Sequence, residues 1–198
     1  MHIAKVLMCL ALAGIVGMPA QADLLLNNGS IPNGSGRTVS GVGIAGGWMV
    51  FQPFTVTDPG WIIETIGTDG WNVQDPMGLG MLGTLLPDTG ANYPDENNPI
   101  ASAVYHLGTD PWNPNWRDEP FDVTLDPGHY WMRWTENGDA MHWSAIFNAP
   151  SGENSFSRTG NSDYGSGPTA LRIYGTEVPE PGTICLLLLG AGALLRRK

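Results

Sequence analysis

The stretch FDVTLDPGHYWMRWT, residues 121–135, sets the kind of structure to expect. Phe121, Val123 and Leu125 alternate with Asp122, Thr124 and Asp126, so a strand through them turns its apolar set to one face and its polar set to the other. Pro127-Gly128 follows. An L-proline before glycine suits a type II turn better than the primed hairpin turns, so this corner is expected to pass between sheets or to contain a bulge. The next run, His129 to Thr135, carries Tyr130, Met132 and Trp134 on one side and Trp131 and Arg133 on the other. Asn137-Gly138 is then the strongest two-residue hairpin signal, predicting that Met141, Trp143, Ala145 and Phe147 return beside that strand.

Working outward, short apolar runs separated by Gly, Pro, Asn and Asp predict further strands at 24–28, 48–56, 61–66, 101–107 and 169–174, with a weaker one at 80–85. No segment of the body reads as a helix. Eight or so strands imply an all-β fold, a single β-sandwich of jelly-roll-like form over residues 23–177, a length that can bury one core. Phe51, Phe54, Ile63, Val104, Tyr130, Trp143 and Ile173 are the expected core residues, and 29–47, 87–99, 110–120 and 149–168 read as long surface loops.

Both ends of the sequence differ in kind from this body. His2 and Lys5 precede an apolar run from Val6 to Met18, closed by Pro19 and the small-residue triplet Ala20-Gln21-Ala22. That is the pattern of a secretory signal peptide over residues 1–22, with cleavage expected before Asp23. At the other end, residues 178–198 fall into three blocks: Val178, Pro179, Glu180, Pro181, Gly182 and Thr183; an apolar run from Ile184 to Leu195; and the basic stop Arg196, Arg197 and Lys198. The prolines bar a helix through 179–181. The twelve residues from Ile184 to Leu195 would span about 18 Å as a helix against a hydrocarbon core of about 30 Å. Such a short transmembrane segment is suited to temporary residence, with its basic end cytoplasmic and the body on the opposite side.

The three blocks in this order, with a signal peptide at the opposite terminus, resemble the PEP-CTERM sorting tail of exosortase substrates. The resemblance implies that a membrane-embedded cysteine transpeptidase, the exosortase, recognises residues 178–183 and removes the tail near them. It further implies export to the cell envelope or beyond, transient anchoring in the inner membrane, and an association with extracellular polysaccharide. The body, through Phe121 to Trp134, also looks like the all-β modules that commonly precede such tails.

Removal of both ends would take away Cys9 and Cys185, leaving a mature domain with no thiol and no disulfide. Residues 23–177 hold five arginines, no lysine and 18 carboxylates, a net charge of −13. So acidic a surface has no basic stripe for nucleic acid. The motifs of catalysis are weak as well. His106, His129 and His142 stand in expected strands without ligand spacing, no nucleophile elbow surrounds Ser35 or Ser166, and Glu64, Glu119 and Glu136 carry no sign of pairing. The expectation is a protein that is not an enzyme and holds no metal or other cofactor. Calcium stands as the single exception to consider, through the oxygen donors Asp88, Asp95, Glu96, Asn97 and Asn98, or Asp110, Asn113, Asn115, Asp118 and Glu119, neither of which follows an EF-hand pattern. Trp112 and Trp116 lie in a Pro/Asn-rich loop and are candidates for stacking on sugar rings. A non-catalytic surface or matrix component is therefore the leading expectation, with a carbohydrate-binding module as the alternative.

Overall fold

The computed structural model describes residues 22–31, 36–40, 47–74, 79–110, 112–113, 115–138, 143–165 and 167–179. Among them run thirteen strands and no helix: β1 (Asp23–Asn27), β2 (Gly36–Ser40), β3 (Trp48–Val56), β4 (Trp61–Thr68), β5 (Gly70–Gln74), β6 (Met81–Pro87), β7 (Ala101–Tyr105), β8 (Arg117–Leu125), β9 (Gly128–Glu136), β10 (Trp143–Phe147), β11 (Phe156–Thr159), β12 (Ser162–Gly165) and β13 (Arg172–Glu177). Every named strand pair is antiparallel. A four-stranded sheet has the order β1-β13-β4-β8, and a larger sheet the order β5-β10-β2-β3-β9-β6-β7, with the β11–β12 ribbon added along β3.

The two sheets share one apolar core. Trp61, Ile63, Ile66, Phe121, Leu125 and Ile173 from the smaller sheet meet Val50, Phe54, Met81, Leu85, Met132, Trp134 and Ile146 from the larger. Burial of this kind, worth about 25 cal/mol for each Å² of apolar surface, is the term that offsets chain entropy in a fold without disulfides. Phe121, Val123 and Leu125 all turn towards it as their alternation predicts, even though one extra residue sits in β8 opposite Ile63–Thr65. Asp122 absorbs that residue in the left-handed region, at φ 48°. The corner at Asp126-Pro127 carries the chain from β8 in one sheet to β9 in the other, as the Pro-Gly chemistry suggested.

Several expectations need correction. The hairpin at Asn137-Gly138 does not form between β9 and β10, because β3 and β6 occupy both edges of β9, and β10 pairs with β2 and β5. Asn137 instead donates from its side chain to Leu79 O at 2.9 Å and from its backbone to Gly80 O at 3.1 Å. The interval 29–47 contains β2, 149–168 contains β11 and β12, and β8 starts at Arg117 inside the stretch read as loop. Those strands are polar or glycine-bearing and owe their form to ladder partners rather than to alternation. Phe51 leaves the main core for a second cluster with Leu86 and Trp131, flanked by Met49 and Phe156, because odd-numbered positions of β3 face away from the smaller sheet. Val104, Tyr130 and Trp143 are half-buried rather than central.

Candidate functional site

The chain leaves the sandwich along β13, which is held on both sides, by β1 and by β4. Pairing extends to Glu177 opposite Trp61, and Val178 N–H donates to Gly60 O at 3.0 Å. Gly60 has φ +105°, and a Cβ there would lie 2.7 Å from Leu125 O, so this turn admits only glycine. Pro179 brings no N–H and ends the ladder. Of the expected sorting residues, Val178 and Pro179 thus adjoin the last strand directly. Glu180, Pro181, Gly182 and Thr183 lie outside the described residues, as do Arg196, Arg197, Lys198, the apolar run of the tail and residues 1–21. On the neighbouring strand, Asp23 stands opposite Gly175. An open groove of about 340 Å³ runs beside this exit, lined by Asp23, Leu24, Leu25, Thr57, Trp61 and Glu177.

The loop between β7 and β8 separates the two candidate tryptophans. Trp112 is 67% exposed, and its backbone N–H donates to Asp110 Oδ1 at 2.8 Å. That bond and a second from the Asn113 side chain hold the Asp110 carboxyl below its ordinary pKa. Trp116 is half-buried against the core, with the Arg172 guanidinium 4.4 Å from its ring centroid. Arg172 is itself fixed by Asp118, to which its Nε donates at 2.7 Å. Asp69, fully buried, fastens the loop from below by accepting the Asn115 N–H at 2.6 Å. The two indoles therefore differ in role: one is presented to solvent, the other anchors the loop. Arg172 and Asp69 lie 46 or more residues from the loop contacts they make, and no local pattern in the sequence points to either.

On the outer face of the larger sheet, the loop after β6 is fastened by ions. His129 Nδ1 lies 3.0 Å from Asp88 Oδ2, and its Nε2 lies 2.9 Å from Glu153 Oε2. Trp131 Nε1–H donates to the same Asp88 oxygen at 2.9 Å. Partial burial disfavours the imidazolium, yet the bonds and charges of Glu153 and Asp88 outweigh it and raise the His129 pKa above its ordinary value. Desolvation would likewise raise the Asp88 pKa, but Trp131, His129 and the N–H groups of Gly90 and Asn92 hold it low. Arg158 joins Glu96 and Asp163 while lying 4.8 Å over the Phe51 ring, and Arg133 Nη1 donates to Glu96 at 3.2 Å.

Among the oxygen donors considered for calcium, Asp88 pairs with His129 and Trp131, Glu96 with two arginines, Asp95 with Asn97 and Asn98, and Asp118 with Arg172. Of the histidines, His106 is exposed and His142 lies outside the described residues. Glu136, buried on β9, belongs to the sheet opposite the one carrying Glu64 and Glu119. Missing from any sequence pattern was the His129 bridge, whose partners stand 41 and 24 residues away.

Comparison of the chain with curated proteins gives no match. A family model does match, over residues 177–198, from the last residue of β13 onward. The chain therefore carries a PEP-CTERM protein-sorting motif, the mark of an exported protein sorted to the cell envelope by an exosortase.

Proposed function

We propose that this protein is a non-catalytic component of the bacterial surface or extracellular matrix, delivered by a signal peptide over residues 1–22 and held briefly in the inner membrane by residues 178–198. The body, residues 23–177, is the exported cargo, and the exosortase cuts the chain near Pro179, Glu180 and Pro181. The observation that carries this reading is the abrupt change of chemistry at Glu177: a paired strand ends there, and the matched motif begins with the same residue. Replacing Pro179, Glu180 and Pro181 by alanine tests the proposal. In a host with an exosortase, the variant should still be exported but accumulate as a membrane-bound precursor that keeps Arg196 to Lys198. Normal maturation of that variant would refute it.

A second reading, binding of extracellular polysaccharide, is favoured by Trp112, whose exposure of 67% exceeds that of every other exposed large hydrophobic residue described. An indole held out by an Asx-type turn can stack on a sugar ring with little ordering cost. Trp116 does not share in it, since Arg172 covers its ring. Polysaccharide pull-down should be lost in Trp112→Ala if the reading holds, and unchanged binding in that variant would remove it.

A further inference from the structure

β1 and β13 are adjacent and antiparallel, so the chain enters the domain at Asp23 and leaves it at Glu177 from one and the same end. The turn Thr57–Gly60 and the corner Asp126–Pro127 close the sandwich at this end, since Trp61 pairs with both Glu177 and Leu125, and Val56 pairs with Gly128. The opposite end is that of Thr68 and Arg117, where the Trp112 loop joins β8. Along β4 the two ends are separated by seven residue steps, about 24 Å.

Covalent geometry limits how far the first end can stand from a bilayer. Seven residue steps lead from Glu177 to Ile184, where the apolar run starts, and whatever the conformation between them they reach at most about 23–25 Å. Resting on the sorting reading above, we infer that the end of the sandwich formed by Asp23, Leu24, Thr57, Asp58, Ile62 and Glu177 is the surface that faces the phospholipid bilayer in the membrane-held precursor, with the Trp112 loop turned away from it.

Leu24 is 50% and Ile62 37% exposed, so this end presents apolar side chains amid acidic ones. Asp23, Asp58, Asp126 and Glu177 lie in its segments, and no lysine or arginine does. Anionic headgroups do not attract such a surface. Its apposition to the membrane is imposed by the tether alone, and the exosortase works in the narrow space between domain and bilayer.

The test uses the full chain in a host without an exosortase, with Cys9 and Cys185 changed to serine and one cysteine introduced, either Thr57→Cys at the tethered end or Thr109→Cys in the distal loop. Both positions are exposed. A fluorophore on each is challenged in membrane vesicles by a quencher attached to phospholipid headgroups. Given a separation of about 24 Å, quenching at position 57 should exceed that at position 109 by at least about threefold. Equal quenching, or stronger quenching at 109, with the protein in the membrane fraction, would overturn the inference while leaving sorting intact. A full-length chain absent from the membrane fraction would overturn the sorting reading and this inference together.

Discussion

Arg172 lays its guanidinium 4.4 Å over the ring of Trp116, tying the loop before β8 to the start of β13. Trp116→Ala removes a half-buried indole and uncovers the charge, and should lower stability by about 2 kcal/mol. Trp112→Ala removes a ring that is 67% exposed and should stay within about 0.5 kcal/mol of the parent. Thermal or denaturant unfolding of the two variants measures both. Equal losses would mean that the loop does not divide its aromatics as described.

His129 makes stability depend on pH. Its folded pKa lies above 6.5, so its contribution is fully present below about pH 6.5 and is lost as pH rises through the folded value. Asp88 acts in the opposite sense. Its folded pKa lies below 3.8, so its contribution is present above that pH and fades as pH falls through the folded value. The bridge is therefore strongest between roughly pH 4 and 6.5. Unfolding measured at pH 5 and pH 8 should show a smaller pH-dependent loss in His129→Gln than in the parent, and an unchanged slope would contradict the bridge.

Gly83 sits under two rings of the core. A Cβ at that position would meet Trp134 Cζ3 at 2.5 Å and Tyr105 Cε2 at 2.6 Å, where those rings cross edge to face. Gly83→Ala should cost about 1–3 kcal/mol by overpacking, although alanine ordinarily favours folding over glycine. Neutral or increased stability would show that the rings can yield.

Sequence alternation revealed the strand that faces the core on one side, β8 above all, because its period of two follows from burial, whereas β9 buries Met132 and Trp134 on one face and Trp131 on the other. Alternation did not reveal β2, β11 and β12, which are short and polar and exist by pairing with strands far away in sequence. The failed hairpin at Asn137-Gly138 has the same origin: turn chemistry is local, but the edges of β9 were already taken by β3 and β6. At the exit of the chain, the motif was readable because sorting enzymes read sequence. The adjacency of Asp23 and Gly175, 152 positions apart, was not.

The signal-peptide reading predicts a particular mature start. Protein recovered from outside the inner membrane should begin at Asp23, the first residue of β1, and after loss of the tail should contain no free thiol. Intact mass and thiol titration check both statements. A product that retains Lys5 and Cys9 would contradict export by this route, and circular dichroism that changes with reductant would contradict a core independent of sulfur.

The sorting role of residues 178–198 is tested by fractionating three forms of the chain, each in a host with and without an exosortase: the parent, the triple alanine variant at 179–181, and the chain ending at Glu177. With the enzyme present, the parent should lose the basic stop Arg196 to Lys198 and leave the inner membrane, the triple variant should remain there at full tail length, and the shortened chain should never enter it. Identical partitioning and identical mature mass for all three forms would contradict the sorting role of the tail.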